Sequence, residues 1–510
     1  MKPETKYKGS IKLAAIGDAL GWITEFEKSA ESLSKKYSTD RIEKFYDWQK
    51  NVGGRFLGYT DFIKAGSYSD DTQLMLSVAR SIKQGGTVDQ HYFSKVELPN
   101  WLHYARGGGR TVKNAAVKIS RKSAKWNSNF YSFKVKDTLV DYRDSGANGA
   151  AMRILPIALA NLGDTEKIKE EIFGNSIITH GHPRALLGAM IYGYAINQIL
   201  LFRPEHFNPQ SFITQIGADF HHKFSLEFLN KADYQQWLKE WNKNGRNFKT
   251  EYIKILDESQ QYLRDVYYAL QKDVPVKDTL KQLGCLSPET KGSGTSTVLA
   301  GIYLTCRYHS KPSEAIVEAV NALGTDTDSI AAFTGGLIGA LHGQQCIPQK
   351  WRKVQDEIYL EEVADTLLNI SESKDERPVN GIKFEVHKSL NEISNDDFQL
   401  EEVVSFNPLG IGTINKIDRQ NTLTNGKYNL ILDVEFTIGQ TCVFSKVFDS
   451  KVINQTDNKE VDSKIDIQHV LKVAKHKLSD KEYKSLQSYL VKRNDNGSEL
   501  LELLLLLINR

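Results

Sequence analysis

Apolar positions recur at spacings of three and four over much of the first 370 or so residues. Between residues 72 and 82 the stripe is Leu74, Met75, Val78, Ala79 and Ile82, which predicts a helix with one buried face. The same spacing predicts helices over 150–161, 184–201, 296–308, 313–323 and 330–342. These segments are rich in Ala, Gly, Leu and Ile. Glycines inside them, such as Gly188, Gly193, Gly335, Gly336 and Gly339, weaken an isolated helix. A tightly packed bundle, with backbones in close approach, is the expected compensation. Strand-like alternation is scarce here. The stretch 204–285 is more polar and aromatic and predicts helices on the periphery of that bundle.

The pattern changes after the charged, turn-rich segment 371–378. Leu430, Leu432, Val434 and Phe436 alternate with Asn429, Ile431, Asp433 and Glu435, the period of a strand. Residues 412–417 and 442–448 alternate as well, and Asn425-Gly426 predicts a type I′ hairpin turn. Residues 384–452 thus read as a small β-rich unit. Residues 466–510 return to helix, with Ser479 as N-cap before 481–491. The expected architecture is mostly α. A compact helical domain occupies 1–375, and a smaller β-rich/α C-terminal module of unassigned role occupies 380–510. The tract 500–508 is apolar on nearly all sides, which predicts burial against the chain or against a protein partner of that module.

Composition narrows the class. The chain has 510 residues, 40% hydrophobic and 25% charged, an ordinary soluble balance and enough length for more than one core. Net charge is +3 and the cations are scattered, so there is no clear nucleic-acid signal. A membrane span needs about 20 apolar residues; 500–508 falls short and is interrupted by Glu502. The N-terminus has no signal-peptide core. Cys285, Cys306, Cys346 and Cys442 form no CxxC pair, which speaks against a zinc site or redox dithiol and for reduced thiols in a cytoplasmic protein.

The chemistry concentrates in two acidic clusters, each just before an apolar helical run. They are Ser69-Asp70-Asp71-Thr72 and Asp326-Thr327-Asp328-Ser329. Either alone reads as a helix cap, because Ser and Asp are favoured N-caps and carboxylates suit a helix N-terminus. Adjacent carboxylates nonetheless repel unless a cation or donors neutralise them. Folded together, the clusters supply an all-oxygen ligand set of the kind hard divalent cations take. An EF-hand fits poorly, because Ala331 and Leu337 stand where its Gly and Glu belong. Glu25 follows Asp18 by two helical turns and can share its face. Ser145-Gly146-Ala147-Asn148-Gly149 is a small-residue loop entering a helix, either a turn or a phosphate cradle. Thr179-His180-Gly181-His182-Pro183 offers imidazoles for capping, metal binding or, as the favoured reading, substrate positioning. Gly107-Gly108-Gly109 and Gly292-Ser293-Gly294 read as connections.

Taken in order, GDALGxxxE, SDDT, NGAAMRxxP, THGHPRA and GTDTDS resemble the ADP-ribosylglycohydrolase family, over about residues 10–370. The resemblance implies an all-α fold around a centre of two Mg²⁺ ions, with Mn²⁺ as the alternative. It implies metal ligands Ser69, Asp70, Asp71, Asp326, Asp328 and Ser329, and substrate contacts from Ser145, Gly146, Asn148, Gly149 and His180. It places Glu25 at the cleft mouth near the ribose, as a base or a gate, and makes Glu25, Asp70 and Asp328 the catalytic carboxylates. Ser69 and Ser329 stand where Thr is common, and Ala147 and Thr325 replace glycines; no carboxylate is lost. The implied function is metal-dependent hydrolysis that removes ADP-ribose from a modified acceptor, a protein side chain first. The alternatives are a non-catalytic ADP-ribose-binding module, a hydrolase of another ADP-ribose ester or N-glycoside, and a helical scaffold whose acidic pairs are caps.

Overall fold

In the computed structural model, described here over residues 2–373 and 388–450, helices dominate the first part of the chain and a five-stranded sheet follows. The elements that build the site are α1 (Pro3–Thr24), α2 (Asp70–Arg80), α3 (Leu155–Ala160), α4 (Pro183–Ile199), α5 (Gly294–Arg307), α6 (Thr327–His342) and α7 (Glu357–Ser371). The axis of the bundle is the pair α1 and α6, both buried along nearly their whole length. A Cβ at Gly17 would lie 2.2 Å from the Ala331 carbonyl oxygen, and one at Gly335 2.0 Å from that of Leu13. Only hydrogen fits between the backbones there. The glycines that weaken α6 as an isolated helix are therefore what allow its contact with α1, as their spacing predicts.

Most helix expectations hold within three residues. The exception is 150–161, which is a 3-10 turn (Asn148–Arg153) followed by α3. Pro156 has no N–H to continue the turn before it, and sits near the start of α3 where none is needed. The periphery at 204–285 is helical, including Ala232–Trp241 and Phe248–Lys272. Trp237, Trp241 and Phe248 pack edge to face there, with centroids about 5 Å apart.

The implied all-α fold needs correction. Two short antiparallel hairpins interrupt the helical part: β1 (Trp48–Val52) with β2 (Tyr59–Ile63), and β3 (Ser132–Val135) with β4 (Thr138–Asp141). These strands are four or five residues long and mostly half-exposed, so they leave little hydrophobic period to read. The C-terminal sheet runs β5 (Lys388–Ser389), β6 (Val403–Phe406), β7 (Gly410–Asn421), β8 (Lys427–Phe436) and β9 (Thr441–Asp449), in that spatial order. The hairpin of β7 and β8 forms as expected, but not with a type I′ turn. Its loop is 422–426, and only Gly426 of the Asn-Gly pair is left-handed, at φ 76°. The longer loop is tied elsewhere: Leu423 N–H donates to the Gly58 carbonyl (3.0 Å) and Thr424 Oγ1 to that of Phe56 (2.7 Å).

The sheet packs on the helical body through its apolar face. Phe406 and Phe444 pack against Tyr104. At one corner the Asp356 carboxylate accepts from Tyr68 Oη (2.6 Å), Thr441 N–H (3.0 Å) and Thr441 Oγ1 (2.6 Å). The terminal helices expected at 466–510, with Ser479 and the tract 500–508, lie outside the described residues. Among the described residues no helix is long and apolar enough to cross a membrane.

Candidate metal centre

The two acidic turns meet where the start of α2 faces the start of α6 and the end of α1. Ser69 caps α2, its Oγ accepting from Asp71 N–H (3.3 Å). The wholly buried Asp18 carboxylate of α1 braces this turn. It accepts from Ser69 N–H (3.1 Å), Thr72 N–H (3.0 Å) and Thr72 Oγ1 (2.6 Å). Across the gap Ser329 Oγ donates to Asp71 Oδ2 (2.7 Å), joining the clusters directly. Ser329 N–H holds Asp328 Oδ1 (2.8 Å). Thr327 Oγ1 donates to the Gly21 carbonyl (2.9 Å) and docks α6 on the last turn of α1. Glu25 immediately follows that turn, and carboxylate oxygens of Glu25, Asp326 and Asp328 lie within 4.8 Å of one another.

The two glycine loops read as mere connections prove to be part of the site. Gly108 N–H donates to Asp70 Oδ1 (2.6 Å). Gly107 sits at φ 97°, where a Cβ would come 2.5 Å from the same oxygen. Gln73 of α2 fixes this loop, accepting from Arg106 N–H (3.1 Å). On the other side Asn148 Nδ2 donates to Asp326 Oδ2 (2.9 Å). Loop 145–149 is stitched to 292–294 by Asn148 N–H to the Gly292 carbonyl (2.9 Å) and Gly294 N–H to that of Gly146 (3.0 Å). Ser145 is buried in this loop, one residue before Gly146.

His180, expected to face the substrate, is fully buried behind Gly149. Its Nδ1 meets Thr179 Oγ1 (2.8 Å), and its Nε2 has no hydrogen-bond partner. Burial, aided by the Arg153 guanidinium, holds its pKa well below the usual imidazole range. His182 also lies against the loop, at Gly146, and burial takes it down to about 4. Asp18, Gly107, Gly108 and Gly292 are the residues whose roles the motifs did not disclose. An aspartate inside the apolar run from Leu13 to Ile23 was the available signal for the first.

The electrostatics test the fit of a cation. Burial and neighbouring negative charge raise every shifted carboxylate in the cluster. Glu25 is pushed up to about 8 by burial and by Asp326 and Asp70. Asp70 rises to about 6, chiefly by burial, despite the Gly108 amide. Asp71 and Asp328 lie well above the ordinary carboxylate range for the same two reasons, burial first. Carboxylates packed this densely hold protons unless a cation balances them. The donors are oxygens throughout, which suits a hard divalent cation and not a thiophilic ion.

The model of the ADP-ribosylglycohydrolase family matches residues 1–377, about three quarters of the chain. The chain belongs to the ADP-ribosylglycohydrolase family. It is 25% identical over 343 residues to the ADP-ribosyl-[dinitrogen reductase] glycohydrolase of Rhodospirillum rubrum, covering 67% of this chain and 87% of the relative. It is 24% identical over 361 residues to ADP-ribosylhydrolase ARH3 of Xenopus tropicalis, covering 68% and 90%. Against the ADP-ribosylarginine hydrolase Tri1 of Serratia proteamaculans (strain 568) the identity is 22% over 356 residues, covering 68% and 74%. ADP-ribosylglycohydrolases are hydrolases that release ADP-ribose from an acceptor, and the carboxylate cluster lies within the matched region.

Proposed function

We propose that this ADP-ribosylglycohydrolase is a metal-dependent enzyme that hydrolyses the bond between the anomeric carbon of ADP-ribose and a modified protein side chain. The observation that carries the reading is the junction of the two acidic turns through Ser329 and Asp71, with Glu25 against Asp326 and Asp328. Ser69, Asp70, Asp71, Asp326, Asp328 and Ser329 are the side chains that would hold two Mg²⁺ (or Mn²⁺) ions. When bound, such ions would offset part of the cluster's negative charge, orient the ribose hydroxyls and lower the pKa of water.

The chain's own residues do the rest. The 145–149 loop receives the diphosphate, its backbone held in shape by the Gly292 loop, with His180 supporting Gly149 from behind. Water attacks the anomeric carbon while the bond to the acceptor breaks. The bonding pair leaves with the acceptor heteroatom, which takes up a proton. Asp70 and Asp328 offset the positive charge that builds on the ribose ring. Glu25, half-exposed at the end of α1, takes the proton from the attacking water. Residues 1–375 form the catalytic body in this reading, with 380–510 as an accessory module; the end of the family match at residue 377 supports the division.

Asp70→Ala and Asp328→Ala each test the centre. Each is expected to lower turnover by at least about a hundredfold, the upper end of what loss of an outer-sphere partner costs, with a matching fall in bound metal. A variant with wild-type turnover and wild-type metal content would refute the centre. A panel of arginine-linked, serine-linked, nucleic-acid-linked and O-acetyl substrates with added Mg²⁺ identifies the acceptor.

A further inference from the structure

A groove of about 610 Å³ lies between the β1–β2 hairpin of the helical body and the polar face of the C-terminal sheet. Its rim is continuous with the candidate centre. Trp48 of β1 packs edge to face on Trp22, centroids 5.1 Å apart, three residues before Glu25. Lys50 of β1 lies over the same Trp22 ring (4.5 Å) and beside Phe26 (5.3 Å). Its cross-strand neighbour Asp61 pairs with Arg106 (2.7 Å), the residue before the glycines that hold Asp70. Trp48, Asp61 and Arg106 all line the groove. This rim borders Glu25 and Asp70, whereas the 145–149 loop borders Asp326. If that loop takes the diphosphate, the acceptor leaves along the hairpin and into the groove.

The lining says what kind of acceptor fits. Six carboxylates face it, from Asp47, Asp61, Asp356, Asp418, Asp433 and Glu435. Four cations oppose them, Lys64, Arg106, Lys353 and Lys416. Arg106 is engaged by Asp61, and Lys64 reaches Asp433 at 4.0 Å. Phe62 and Ile431 add apolar surface between the charges, as an extended polypeptide requires. The balance is negative, which disfavours a phosphate backbone and favours a chain with lysines or arginines.

We propose that this groove binds the polypeptide that carries the ADP-ribosyl group, through a positively charged stretch flanking the modified side chain. The C-terminal sheet is then half of the acceptor site. The proposal rests on the hydrolase reading above and deepens it.

The test uses the full chain and Asp418→Lys/Glu435→Lys, a pair on the polar sheet face outside the centre. The probes are three conjugates in both arginine and serine linkage: a Lys-flanked peptide, a Glu-flanked peptide and the free ADP-ribosylated amino acid. The wild type should prefer the Lys-flanked peptide by about tenfold in kcat/KM, through KM. The double variant should erase or invert that preference and leave the free amino-acid conjugate unchanged. Asp418→Asn/Glu435→Gln should fall between them. An unaltered preference in a folded charge-reversed variant would overturn the proposal, as would faster turnover of an ADP-ribosylated oligonucleotide than of either peptide. Fluorescence anisotropy of the unmodified Lys-flanked peptide separates the two readings. Binding abolished by charge reversal, with no conjugate turned over, would leave the groove standing and remove the hydrolase.

Discussion

The two acidic turns have the same composition, two carboxylates and two hydroxyls, yet the fold braces them in different ways. The turn at Ser69–Thr72 is nailed to α1 by Asp18, a buried carboxylate that engages two of its amides and a hydroxyl. The turn at Asp326–Ser329 has no such carboxylate. Asp326 makes no side-chain cap on α6, and its Oδ2 is held instead by the Asn148 amide from the loop read as the diphosphate cradle. The first turn is thus anchored in the core, and the second is anchored in the 145–149 loop, the proposed diphosphate cradle. Ligand binding at 145–149 is therefore positioned to act on the Asp326 side of the centre and not on the Asp70 side.

Asp18→Ala breaks that contrast most severely. It strands three buried donors and should cost about 3 kcal/mol of stability, read by urea unfolding, with turnover lost as well. Asp18→Asn, which keeps an acceptor oxygen, should recover part of the stability. Gly107→Ala comes next. A Cβ at φ 97° would press on Asp70 Oδ1, and about 2 kcal/mol of strain is expected, with metal affinity measured by calorimetry falling alongside.

Asn148→Ala is milder: about a tenfold loss of metal affinity, together with a raised KM, and little change in unfolding. If it destabilised the chain as much as Asp18→Ala, the distinction between a core anchor and a loop anchor would be wrong. The smallest effect belongs to Gly292→Ala. At φ 73° its Cβ would stop 3.0 Å from Asp326 Oδ2, and about 1 kcal/mol is expected. Thermal melts of the two glycine variants with and without Mg²⁺ would rank the two sides.

Much of this was legible in the residues. The apolar stripe of α2 and the small-residue stretch of α6 predicted helices within three residues of their bounds. The ordered motifs pointed to the family before any coordinates. Other features were not legible, for physical reasons. A type I′ turn at Asn425-Gly426 is a local preference, and it lost to hydrogen bonds with residues 56–58, far away in the chain. The hairpin β1–β2 is too short and too exposed to show a period. Gly107 and Gly292 looked like linkers because their function is to leave room for carboxylates more than 30 residues away, and sequence does not record empty space.

The sequence by itself determined which side chains this protein has for chemistry, the helices that carry them, and the family it belongs to. Those follow from local spacing, capping and motif order, which need no knowledge of the fold. The tertiary structure alone decided that Asp18 braces one turn and Asn148 the other, that His180 lies behind its loop, and that the hairpin and the sheet enclose a groove. Each of these depends on contacts between distant segments. Such contacts are set by how backbones pack, as between Gly17 and Ala331 or Gly335 and Leu13, where the absence of a side chain is the determining feature.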